Sequence, residues 1–232
     1  VTISVVHSDT DAFEWAVLLA RGPDAESFLQ GQLSQDLSQL DAKGLWSLVL
    51  SPSSAVLTSC LIERVDEGFS LLVPRSLGES TLARLRRFLL RTNCTLELDN
   101  AERGPVDTVL EQVRSAMAGP SEFALELTPQ SFGDEFVRRT VSFTKGCFTG
   151  QELVGRLDAR GSSVPWRYVR ALGPSLVSID EALRTKGPEG PGGVTTAVTT
   201  SEGVLALGFI HRRGLDNPEL LETFGVHLDV IG

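Results

Sequence analysis

The sequence predicts an α+β protein with a small β-barrel at its C-terminal end. Two observations carry this. The first half strings together three short runs rich in Val, Leu and Ile, then an amphipathic helical pattern and a further strand, which describes a layer of strands and helix rather than repeated βαβ units. The last third holds several short strand-like runs with turns at regular intervals, as a barrel or sandwich requires.

Residues 13–20 (F-E-W-A-V-L-L-A) read as a mostly buried strand ended by Gly22-Pro23. Asp24 is placed to cap a short helix through Phe28, Leu29 and Leu33, which Gly31 weakens. Residues 45–50, 55–64 and 69–73, separated by Ser51-Pro52-Ser53 and Asp66-Glu67-Gly68, form an antiparallel meander. Ser76 and Glu79 have capping-box spacing ahead of Leu82, Leu85, Phe88 and Leu89, so an amphipathic helix starts there, its other face carrying Arg84, Arg87 and Arg91. Residues 95–98 alternate as a strand, and 108–117 read as a helix closed by Gly119-Pro120. Thr149 and Glu152 give a further capping box, starting a helix that Gly161 ends with Arg156 and Arg160 on one side. Strands follow at 164–172, at 194–200 with 203–211 as a hairpin, and at 225–231; residues 187–193 (G-P-E-G-P-G-G) are loop.

With 232 residues, 41% of them hydrophobic and 22% charged, the chain has the makeup of a soluble globular protein with a real core. A net charge of −9 argues against direct DNA binding or a membrane-surface role, and no apolar run is long enough to span a bilayer. No secretory signal is legible at the N-terminus, and the scattered Cys60, Cys94 and Cys147 fit neither a disulfide framework nor a zinc site, so a reducing cytoplasm is the expected compartment. His7, His211 and His227 are equally dispersed and make no metal motif. Three cysteines also fall short of the four thiolates that usually hold an iron–sulfur cluster.

The most informative stretch is residues 145–152, K-G-C-F-T-G-Q-E. A helix start at Thr149 sets Cys147 near unpaired N–H groups and the positive end of the dipole, with Lys145 adding a full charge, which favours thiolate and makes Cys147 a candidate reactive thiol. The plainer reading is a small buried hydrophobe. Gly146 and Gly150 allow a sharp turn or a close approach to a ligand. Seven cations between 138 and 170 surround this segment, against Glu152 and Asp158, so a local anion site is expected. Lys145 would serve there as a point charge and Gln151 as an amide that donates and accepts. Glu152 either caps the helix or meets the ligand, and Arg156 either pairs with Glu152 or faces the pocket. Folate, a nucleotide or an RNA backbone would each satisfy such a site.

The octapeptide closely resembles the K-G-C-Y-T-G-Q-E hallmark of the folate-binding YgfZ family, relatives of the glycine-cleavage T-protein that assist iron–sulfur cluster assembly; Phe148 replaces the usual tyrosine. Residues 28–36 (F-L-Q-G-Q-L-S-Q-D) are similar to the family's F-L-Q-G-Q segment, and 194–197 with 205–212 (L-A-L-G-F-I-H-R) are similar to its C-terminal barrel strands, in the family's order. The resemblance implies a T-protein-like α+β folate-binding domain over 1–160, with a shortened middle at 100–136, and a C-terminal β-barrel over 161–232. It implies tetrahydrofolate or a derivative as cofactor, with Gln30 and Gln32 joining Lys145, Gly146, Gln151, Glu152 and Arg156 around it. Implied partners are iron–sulfur client proteins or assembly factors, and through them tRNA-modifying enzymes. A folate-dependent aminomethyltransferase is the alternative, but that class uses a carboxylate in the strand corresponding to residues 55–62, where this chain has Leu57, Thr58, Ser59 and Cys60 and no acid before Glu63. An accessory factor therefore ranks above a true transferase. A third reading is a scaffold that has lost folate with its middle. A sheet face uncovered by the short middle would favour a homodimer.

Overall fold

The computed structural model of the chain describes residues 5–101, 104–159, 164–184, 190–216 and 218–231. Arg160, Gly161 and the start of the 187–193 loop lie outside them. The chain opens with β1 (Val5–His7), β2 (Trp15–Arg21) and α1 (Ala25–Gln32). It continues through β3 (Leu45–Leu50), β4 (Val56–Val65), β5 (Gly68–Pro74), α2 (Gly78–Arg86) and β6 (Thr95–Ala101). Four short helical segments follow, namely α3 (Val109–Arg114), α4 (Pro120–Phe123), a 3-10 turn (Pro129–Phe132) and α5 (Asp134–Thr140). Beyond the octapeptide come α6 (Gln151–Ala159), β7 (Trp166–Gly173), α7 (Leu176–Arg184), β8 (Gly193–Thr200), β9 (Gly203–His211) and β10 (His227–Val230).

Two five-stranded sheets result, ordered β3-β4-β5-β2-β6 and β1-β8-β9-β7-β10. The first is antiparallel throughout, as the meander predicts, with β2 threaded between β5 and β6 so that Leu18 faces Leu71 on one side and Leu98 on the other. In the second, β1 lies parallel to β8, so the first strand of the chain completes the sheet built by the last third. Its ladder runs from β1 to β10 with no pairing between those two among the described residues, so what stands is a second open sheet in an α+β frame rather than a closed barrel.

Successive strand residues point to opposite faces. On β3, Val49 enters a core with Leu18, Leu29, Ile62, Leu71 and Leu85, while Leu48 and Leu50 enter another with Phe132, Tyr168 and Phe209 from the far half of the chain. That second core joins the sheets. At its centre the wholly buried Phe132 packs 5.4 Å from Phe209, edge to face, and 5.5 Å from Tyr168. A third core seats Ile179, Ala182 and Leu183 of α7 on Val194 and Ala206.

Three local expectations fail for stated reasons. Ser76 sits in a 3-10 turn, Arg75–Leu77, and α2 starts after it with Leu77 at its N-cap and no side-chain cap; the helix stops at Arg86, leaving Phe88 half exposed. Gly119-Pro120 opens α4 instead of closing α3, because proline is preset for a first helical turn. Within α4, the buried Glu122 accepts from Gly119 N at 2.7 Å and from the Thr195 and Thr196 hydroxyls at 2.5 and 2.8 Å, tying the helix to β8. Asp24 stands at the N-cap of α1 but turns its carboxylate to the Asn93 amide, 2.7 Å away, making no cap bond.

Replacing Phe132 with alanine removes the wholly buried ring at the centre of the core that joins the sheets, and is expected to lower stability by about 3–5 kcal/mol. Urea unfolding measures this; a loss under about 1 kcal/mol would mean that the surrounding rings close the gap and that Phe132 is not the keystone.

Candidate functional site

Helix α1 ends at Gln32 with its last carbonyls lacking helical partners, as every helix does. Lys145 supplies the partner. Its ammonium donates to the carbonyls of Gln30 at 2.7 Å, Leu33 at 2.8 Å and Gln35 at 2.9 Å, using all three N–H groups on one loop. The negative end of the helix dipole favours a cation at this place. Half-burial lowers the Lys145 pKa to about 8, and the Asp36 carboxylate opposes that shift. Asp36 is itself held below the usual carboxylate range, first by the Gln30 amide, which donates to it at 2.9 Å, and further by Ser38 and Lys145. Gln30 also accepts from Leu37 N at 3.0 Å, so its side chain knits the loop. Gln32 has a buried amide oxygen with no partner.

The octapeptide meets the same helix end a second time. Thr149 N donates to Gly31 O at 3.2 Å, and Gly150, at φ +82°, passes so close to β3 that a Cβ there would come within 2.5 Å of Ser51 O. Only glycine fits. By contrast, a Cβ on Gly146 would meet nothing within 4 Å. Helix α6 begins at Gln151, not Thr149, because the Thr149 amide is already committed to Gly31 and Gly150 is left-handed. Gln151 reaches back to accept from Phe148 N at 3.1 Å, and Glu152, freed from capping, pairs with Arg156 on the exposed face of α6. Cys147 is exposed in the loop before the helix, with the Lys145 ammonium turned away toward α1. The two sequence motifs thus form one unit in space, while Glu152 and Arg156 stand apart from its clasp.

A cavity of about 360 Å³ lies beside this unit, between the two sheets. Trp46 and Ser59 from the first sheet, Phe136 and Arg139 from α5, and Tyr168 from β7 are among its walls. The Tyr168 hydroxyl is buried and has no hydrogen-bond partner, and burial, reinforced by Glu122, raises its pKa well above the ordinary value. Arg139 extends over the Trp46 ring, 5.9 Å from its centroid. None of the eight residues read from the sequence as site residues lines this cavity. Its own residues come from widely separated segments and share no motif; Arg139, one of the cluster of cations, was the single signal.

No family model matches the chain. It is 24% identical over 251 residues to an uncharacterized protein of Haemophilus influenzae, covering 89% of each. It is 29% identical over 220 residues to the tRNA-modifying protein YgfZ of Escherichia coli O157:H7 and 23% to that of Klebsiella pneumoniae, covering 65% of this chain and 67% of each relative. Among solved structures it resembles the glycine cleavage system aminomethyltransferase T from Bartonella henselae, with a TM-score of 0.58 at 13% identity over 88% of this chain and 79% of the other. Fold and clasp together define a protein with a T-protein-like α+β frame. The YgfZ relatives fit an assignment of the chain to that family, and the structural neighbour shows the fold.

Two outcomes follow from the geometry. An alkylating reagent at neutral pH should modify Cys147 first, Cys94 more slowly, and Cys60 only on unfolding, since burial raises the Cys94 pKa and pushes that of Cys60 up to about 12. Mass spectrometry of the labelled peptides reads the order; equal rates at Cys94 and Cys147 would contradict it. Lys145→Met strands three carbonyls and should destabilise by about 1–3 kcal/mol. Because the folded pKa, about 8, lies below the ordinary 10.5, the unfolded chain holds more protons between those values. Stability linked to this amine is therefore complete above 10.5 and lost as pH falls through 8. The deficit of the variant should widen as pH rises through that window in paired urea titrations. A deficit that narrows would show that the carbonyl cage keeps the ammonium protonated.

Proposed function

We propose that the chain is a folate-related tRNA-modification factor that holds tetrahydrofolate or a derivative in the cavity between its sheets. One observation carries the choice of cavity: Tyr168, 1% exposed, keeps an unpartnered hydroxyl in a residue of its wall. A buried polar group without a partner is costly, and a ligand bearing a hydrogen-bonding edge relieves it. Trp46, Phe132 and Phe136 offer flat apolar faces to a heteroaromatic ring, and the exposed Arg139 offers a guanidinium to a carboxylate tail. The bound folate would supply a carrier of one-carbon units. The protein's part is to bind and orient it, and to shield it between the sheets.

The tRNA-modifying YgfZ relatives support the tRNA-modification half of this reading, and the T-protein-like frame supports the folate half. Support of iron–sulfur client proteins, in the cytoplasm, belongs to the same proposal, as do the division into domains at 160/161 and a homodimer. No helix among the described residues is long and apolar enough to cross a membrane. Aminomethyl transfer is disfavoured because the residue that β4 gives the cavity is Ser59, which has a hydroxyl where the transferase reading needs an acid.

Titrating folinate, a stable formyl derivative, against intrinsic fluorescence tests the proposal through Trp46. Saturable quenching is expected. Tyr168→Phe should weaken it about threefold to tenfold, the worth of one hydrogen bond, and Arg139→Ala should weaken it more at low salt than at high salt. Absence of saturable binding by the unmodified protein would leave the scaffold reading in its place.

A further inference from the structure

We propose that Lys145 is a positioning residue: by clamping the 33–35 segment, it fixes the α5 wall of the cavity without touching what the cavity holds. The connections are continuous. The ammonium grips the carbonyls of Leu33 and Gln35, on either side of Ser34. Ser34, wholly buried, donates from its hydroxyl to Thr140 O at 2.5 Å and accepts at its carbonyl from Ser142 N at 2.9 Å. The same hydroxyl accepts from Leu48 N at 2.9 Å, which anchors the segment to β3. Gln35 donates from its amide to Arg139 O at 3.1 Å.

Arg139 and Thr140 are the last residues of α5, and both line the cavity. The final carbonyls of α5 are thus satisfied by side chains of the very segment whose own carbonyls Lys145 satisfies. Two helix C-termini, α1 and α5, are tied through one loop, and lysine is suited to the task because its compact ammonium offers three donors to three converging oxygens. Without the clasp, three carbonyls face one another unpaired, and the loop has every reason to shift. A shift of the loop carries the ends of α5 with it. The side chain of Arg139 and the gap between Trp46 and Phe136 then change, although none of them contacts Lys145.

The inference rests on the reading that this cavity is the ligand site, and its test separates the two. Folinate affinity is measured for the unmodified protein, Lys145→Met, Ser34→Ala and the double variant, and amide hydrogen exchange is followed at Ser142 in each without ligand. Each single variant should weaken folinate about fivefold to tenfold, and the double variant no more than the weaker-binding single, because both cut one relay. The Ser142 amide should lose protection in Lys145→Met while amides of the β7–β9 ladder keep theirs. Additive losses of affinity, or unchanged protection at Ser142, overturn the relay. If the unmodified protein binds no folinate, the ligand reading fails and the exchange result alone judges the relay. Should Lys145→Met not fold, the milder Gln35→Ala, which removes the bond to Arg139 O and the one accepted from Asp36 N, takes its place with Arg139 and Thr140 exchange as readout, and unchanged affinity together with unchanged exchange overturns the proposal.

Discussion

One ammonium group holding three carbonyl oxygens is the constraint around which the rest of this molecule is arranged. Lys145 reaches across more than half the described chain in sequence to the end of α1, and the loop it grips then reaches to β3 and to the end of α5. Half-burial disfavours the charge, yet the three converging carbonyls would be left without these donors if the side chain were removed. The arrangement also explains the composition of both motifs. Gly150 lets two backbones approach, Gln30 ties its own loop through Asp36 and Leu37, and Gln151 holds the turn before α6.

The sequence displayed the first sheet well, because a meander is written in local alternation and in turn residues such as Asp66-Glu67-Gly68. It displayed the second sheet only in part. The parallel pairing of β1 with β8 joins the two ends of the chain and leaves no mark in either segment's pattern. Capping boxes were the weakest guide. Thr108 and Glu111 do form one, with Glu111 N donating to the Thr108 hydroxyl at 3.2 Å, but Ser76/Glu79 and Thr149/Glu152 have the same spacing and do not. What decides between them is tertiary. The Thr149 amide finds a carbonyl on another helix, and no local spacing reveals that competitor.

The cluster of cations shows the same limit. Charge counted along a sequence treats every cation as available, whereas in the fold Arg138 pairs with Glu135, Arg156 with Glu152 and Arg170 with Asp229. Lys145 is taken by carbonyls. Arg139 is the member whose guanidinium lies over Trp46 at the cavity wall, which is where the proposed folate reading puts the anionic tail. The cavity itself was not legible, because Trp46, Ser59, Phe136 and Tyr168 have no common spacing and come together only when the two sheets pack.

Why the Tyr168 hydroxyl is left unpaired is answered by its neighbour. Glu122 is fully buried, yet its carboxylate is occupied by Gly119 N and by the two threonine hydroxyls of β8, so it offers Tyr168 no hydrogen bond. It still acts at a distance. A buried negative charge nearby adds to burial in disfavouring phenolate, which keeps the phenol protonated far above neutral pH. Tyr168, a residue of the cavity wall, therefore keeps a neutral O–H donor rather than a switchable anion, and under the proposed folate reading a ligand with an acceptor at its edge would complete it.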